Sequence, residues 1–195
     1  MYQLILIAAA LAASSAAQAH VGVGDTNSFV HGLAHPMGGV DHVLAMLAVG
    51  IFAAHLGGRA LYLVPLAFVF MMIAGGAVGM AGVSLPFVEA GIGLSVLVFG
   101  MAIAFSLDVP TAVAMMLVGS FAIFHGHAHG AEMPGSASGL EYGAGFIFAT
   151  VTLHVVGMAL GLIAREMSPV LGKRILQTAG GAMSLTGVAL LAGYV

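Results

Sequence analysis

The octapeptide His35-Pro36-Met37-Gly38-Gly39-Val40-Asp41-His42 sets two imidazoles and a carboxylate directly before the apolar run 43–56. Imidazole plus carboxylate suits a borderline divalent cation (nickel, cobalt, zinc or copper(II)), and the chain has no cysteine to offer a thiolate instead. An ionisable group inside a membrane span costs roughly 2.5–3.5 kcal/mol at its centre on insertion scales, so such groups mark function. His35 and His42 are seven residues apart, about two turns, and a continuous helix puts them on one face. Pro36 suits a first helical turn, where its missing N–H is not needed. Gly38 and Gly39 remove bulk between the imidazoles, so a helix or a ligand can come close.

A second cluster lies far along the chain. His125 and His129 have i, i+4 spacing, and Glu132 stands seven residues beyond His125, so all three share a face if the helix persists. His127 sits between them and reads as loop surface or ligand. His31 and His35 repeat the i, i+4 spacing, and both pieces read HGxAH, an echo in ligand arrangement and not a duplicated fold. The candidate metal set is His35, Asp41, His42, His125 and His129. His20, His31, Met46, His127, Glu132 and His154 are supporting metal or pathway candidates. Asp41 is either a ligand or the carboxylate that orients a ligating imidazole. The plainer reading of His55 and His154, taken singly, is a hydrogen-bonded histidine in a bundle. Most of the 13 methionines are packing residues. Met46 differs, lying four residues after His42 and one turn deeper on the same face.

The elements that must position these groups follow from composition. Of 195 residues 61% are hydrophobic and 6% charged, against about 25% charged in soluble domains, which excludes a soluble globular protein. A net charge of −3 offers no argument for nucleic acid. Six apolar segments fall at about 34–56, 60–82, 88–107, 109–128, 141–164 and 170–193, each near the ~20 residues that a bilayer requires. The expected fold is all-α: a polytopic transmembrane helix bundle of about six spans, one domain over residues 20–195. Residues 1–19 read as a signal peptide, with a short apolar core and Ala17-Gln18-Ala19 as the cleavage site. Cleavage leaves His20 as the new N-terminus, although no Lys or Arg precedes the apolar core; an uncleaved short span is the alternative. Arg59, Arg165, Lys173 and Arg174 all fall on one side of a six-span topology, which is the cytoplasm by the positive-inside rule. Both histidine clusters then face outward, and the N-terminus is periplasmic. G-x-x-x-G spacings at Gly75/Gly79 and Gly157/Gly161 mark close helix packing within the bundle.

These motifs resemble a known family. His35-Pro36-x-Gly38-Gly39-x-Asp41-His42 is similar to the HPxxGxDH signature of the HupE/UreJ proteins, and Phe124-His125-Gly126-His127-Ala128-His129-Gly130-Ala131-Glu132 resembles their FHGxAHGxE signature. The resemblance covers the full chain. It implies a permease of the bacterial inner membrane for secondary nickel uptake, supplying hydrogenase or urease maturation, and not an enzyme. Nickel is then the cargo, with cobalt or zinc as alternatives that ligand type alone does not separate, and no tightly bound cofactor is expected. The partners are the divalent ion and the lipid bilayer; oligomerisation stays open. The chain has no G-x-x-x-x-G-K-[ST] phosphate loop and no ATPase partner is evident, so transport would be driven by ion gradients or membrane potential, or powered by a partner that the sequence does not show. Two competing readings stay in view. One is an intramembrane hydrolase with His-ligated zinc and Asp41 or Glu132 as general base. The other is a haem protein with an axial pair such as His42 and His154.

Overall fold

Among the described residues all regular structure is helical. The computed structural model describes residues 28–133, 135 and 137–194; the signal-peptide reading of residues 1–19 and the candidate His20 lie outside them. Helix α1 runs Ser28–Ala34 and continues as a 3-10 turn, His35–Met37; α2 is Val40–Leu56, α3 Ala60–Met80, α4 Val88–Ala104, α5 Thr111–Ala131, α6 Gly139–Glu166 and α7 Pro169–Leu191. Each of the six expected apolar segments overlaps one of the helices α2–α7, with ends that differ by up to six residues.

Three of these helices, α3, α5 and α6, are long and apolar enough to cross a bilayer; a fourth span results if α1 with its 3-10 turn and α2 count as one broken span. Helix α4 is apolar but has 17 residues, and α7 carries Lys173 and Arg174 near its start. Leu66, Phe70, Met116, Phe148, Ile163 and Leu185 project outward and exposed. So many large apolar side chains on the outside fit lipid and not water. The protein is a membrane-embedded helical bundle.

The first segment departs from expectation. A single helix over 34–56 was expected, but the axis bends by 82° between Ser28–Met37 and Val40–Leu56. Gly39 is extended (φ −104°, ψ 120°), which ends helical hydrogen bonding, and Pro36 sits in the preceding 3-10 turn. His35 and His42 therefore stand on different elements, and the two-turn spacing is not what unites them.

Helix α2 is the centre. Its buried residues, including Ala45, Met46, Ala48, Val49, Ile51 and Phe52, lie on all sides, as befits a helix that is apolar all round. Helices α3 to α7 contribute Val64, Phe68, Met72, Val96, Phe99, Val118, Phe146 and Met183 to the same core. At its inner end Gly57 and Gly58, with φ of 69° and 51°, reverse the chain into α3, a conformation that glycine adopts without steric penalty.

Small residues set the helix pairs. A Cβ added at Gly126 of α5 would strike the carbonyl of Met72 in α3, and one at Gly79 of α3 would strike the backbone of His127. Gly157 meets the backbone of Leu47 and Gly161 meets Ala54, joining α6 to α2; Gly100, Gly180 and Gly187 join α4 to α7 in the same manner. Backbones this close gain dispersion contacts that lipid cannot supply. Both G-x-x-x-G spacings thus pack within the chain.

Gly126→Ala is expected to destabilise the protein by about 2 kcal/mol or more, since backbone and not a flexible side chain must yield. Gly181→Ala, where nothing lies within 4 Å of the added carbon, should be neutral or slightly stabilising. Thermal unfolding of the two variants in one detergent checks the contrast.

Candidate metal site

Four imidazoles form a ladder where α2, α5 and the 3-10 turn meet. Ring centroids are 4.7 Å apart for His35–His129, 4.2 Å for His129–His42 and 4.7 Å for His42–His125. It runs from a partly exposed ring at the rim to a fully buried one. The His35 side chain is 32% exposed, whereas His129, His42 and His125 are 4%, 8% and 0% exposed. His129 is the hub, also packed against Phe146 at 4.1 Å, and both its ring nitrogens are buried without a hydrogen-bond partner.

Each ring is placed by its own surroundings. Asp41 Oδ1 accepts hydrogen bonds from the His42 backbone N–H at 2.7 Å and from His42 Nδ1 at 2.8 Å. A carboxylate only accepts, so His42 carries its hydrogen on Nδ1 and leaves its lone pair on Nε2. That Nε2 is buried without a partner. Gly39 makes the pairing feasible, because a Cβ there would collide with Asp41 Oδ1. At the rim His35 Nε2 lies 3.0 Å from Glu132 Oε2. The ligand atoms of His35, His129 and Glu132 all fall within 4.8 Å of one another, close enough for one cation to bridge them. Glu132 is not part of α5 proper but its C-terminal capping residue.

The other sequence candidates scatter. His127 is not loop surface: it is 7% exposed, its Nε2 donates to the Val83 carbonyl at 2.8 Å, and its Nδ1 is buried without a partner. His31 is half-buried on α1, outside the ladder. Met46 is fully buried in the core. His154 is 1% exposed and packs edge-on to Phe68 at 5.1 Å; Phe68 in turn lies 5.6 Å from His125. The Phe68 ring thus touches both His154 and the innermost imidazole of the ladder. Three residues at the site were not anticipated: Phe68, Phe146 and Ser95, whose hydroxyl lies 2.8 Å from His125 Nε2. Ser95, as a hydroxyl in the apolar helix α4, carried a readable signal; the two phenylalanines were indistinguishable from other core aromatics.

The family model described as HupE / UreJ protein matches residues 8–190. This chain belongs to the HupE/UreJ family. A curated relative, "Protein HupE" of Rhizobium leguminosarum bv. viciae, is 46% identical over 185 residues, covering 95% of each chain. No solved structure matches. Both signatures of this HupE/UreJ protein converge on the ladder, the first supplying His35 and His42 and the second His125, His129 and Glu132.

Asp41→Ala removes the acceptor that orients His42, and partners of this kind are typically worth about 10–100-fold in metal affinity. Equilibrium dialysis of nickel against the purified protein should show a loss of that size for Asp41→Ala and little change for His31→Ala. Equal affinity in the two variants would refute the orienting role.

Proposed function

We propose that this HupE/UreJ protein is a secondary transporter that carries nickel, with cobalt as a second cargo, from the periplasm to the cytoplasm of a bacterial inner membrane. The observation that carries the reading is the ladder itself: imidazoles at 4.2–4.7 Å spacing, running from a half-exposed ring to a fully buried one. A cation captured at the rim by His35, His129 and Glu132 exchanges water for imidazole and then moves inward ring by ring, keeping a nitrogen ligand throughout. Neutral imidazole replaces hydration without adding charge, and the carboxylates of Asp41 and Glu132 offset the charge of the ion. Beyond Phe68 the next imidazole is His154. At the inner end a cavity of about 540 Å³, lined by His55, Asp108 and Arg165 among others, is suited to release. A divalent ion moving inward gains about 2.3 kcal/mol per charge per 100 mV of potential, so the potential suffices as driving force.

The runner-up, a metal-dependent hydrolase, draws on one observation: three converging ligands at a half-open rim also suit a hydrolytic zinc. It would show turnover by the purified protein without vectorial uptake, and it does not use His125 or His42.

Uptake of radioactive nickel into cells, at matched membrane abundance, tests the proposal. His42→Ala, His125→Ala and His129→Ala are each expected to lose at least tenfold, since each breaks the ladder at a different rung. Undiminished uptake in any of them removes that rung from the path. Protons compete with metal for imidazole lone pairs. Uptake at fixed nickel should therefore fall as external pH is lowered. A rate that stays flat down to the pH at which the protein unfolds would contradict imidazole capture.

A further inference from the structure

Ser95 lies on α4, away from both signatures, and it is 0% exposed. Its hydroxyl oxygen is 2.6 Å from the Ile92 carbonyl and 2.8 Å from His125 Nε2. A hydroxyl has one hydrogen to give, so two arrangements compete. In the first, Ser95 donates to the Ile92 carbonyl and accepts from a hydrogen on His125 Nε2; both short contacts are then hydrogen bonds. In the second, Ser95 donates to an unprotonated Nε2, and the imidazole hydrogen moves to Nδ1. His125 Nδ1, however, is buried with no partner. The second arrangement strands a buried N–H and leaves the 2.6 Å oxygen–oxygen contact without a hydrogen. Orphaned buried donors are rarer than under-used acceptors, and each is costly to bury. The first arrangement therefore prevails, with the His125 lone pair on Nδ1.

We propose that Ser95 is the positioning residue for the innermost rung: it holds His125 as the Nε2–H tautomer, so that the buried Nδ1 lone pair is free to bind a divalent cation. The proposal rests on the metal-transport reading of the ladder and adds a residue outside both signatures. It also makes the two inner rungs complementary. Asp41 fixes the hydrogen of His42 on Nδ1 and frees Nε2, whereas Ser95 does the reverse at His125. An ion held by these two rings would therefore use Nε2 of His42 and Nδ1 of His125. Exchange of the two tautomers at either ring would turn a lone pair into an N–H and block the step.

The test is nitrogen NMR of histidine-labelled, metal-free protein in lipid nanodiscs, with His125 assigned by comparison with His125→Gln. Wild type should show a protonated Nε2 and an unprotonated Nδ1. Ser95→Ala should mix or invert that pattern and weaken nickel binding about 10–100-fold, and Ser95→Thr, which keeps the hydroxyl, should restore both. A wild-type His125 protonated on Nδ1 overturns the proposal, as does a Ser95→Ala protein with unchanged spectrum and affinity. His42→Ala is measured in parallel to separate the two levels. Nickel binding lost there but kept in Ser95→Ala sinks the role of Ser95 alone; binding kept in both sinks the metal reading and the proposal with it.

Discussion

The contact on which the site depends is the backbone-to-backbone approach of α3 and α5. Gly126 and Gly130 of α5 sit against the backbone of Met72 and Gly76, and Gly75 and Gly79 of α3 sit against Ile123 and His127. This fixes the rotation of α5 about its own axis. Once α5 presents its glycine edge to α3, His125 and His129 point toward α2, where His42 meets both. A side chain larger than hydrogen anywhere on that edge would push α5 outward. Ring centroids now 4.2–4.7 Å apart would then separate. The glycines inside the second signature are therefore as much part of the site as its histidines.

Charge follows the same geometry. The acidic groups at the ladder are Glu132, at the rim with His35, and Asp41, paired with His42, while Arg59, Arg165, Lys173 and Arg174 lie toward the opposite end of the bundle. The C-terminal end of α5, where His129 and Glu132 sit, carries the negative pole of a helix dipole, which favours a cation. At the start of α2 the dipole has the opposite sign, and Asp41 answers it by accepting the His42 backbone N–H. The mouth of the ladder is thus attractive to a cation through the backbone as well as through side chains.

Much of this was legible in the sequence because helix periodicity and residue chemistry are local. The helices α2–α7 followed from apolar runs, and His42, His125 and His129 from their types and spacing within spans. Relations that depend on a break in the chain were not legible. The i, i+7 argument for His35 and His42 assumed a continuous helix, whereas Gly39 adopts an extended conformation and the axis turns by 82°. The two rings are instead joined through His129, a residue 87 positions further on. His127 read as loop surface or ligand because nothing local reveals that the Val83 carbonyl, in the segment that follows α3, would reach it. Ser95 is the same kind of case: a hydroxyl in an apolar run is visible, but its partner is 30 residues away on a different helix.

Phe68 gives the ladder a kinetic character. Its ring is fully buried and packs against both His125 and His154, with centroids 5.6 Å from one and 5.1 Å from the other. In an interior packed as densely as an organic crystal, a ring of that size does not leave its place without neighbours moving. On the path proposed for the ion, passage from His125 to His154 past this ring would require such a displacement, and flux along it would be slow beside that of an open pore.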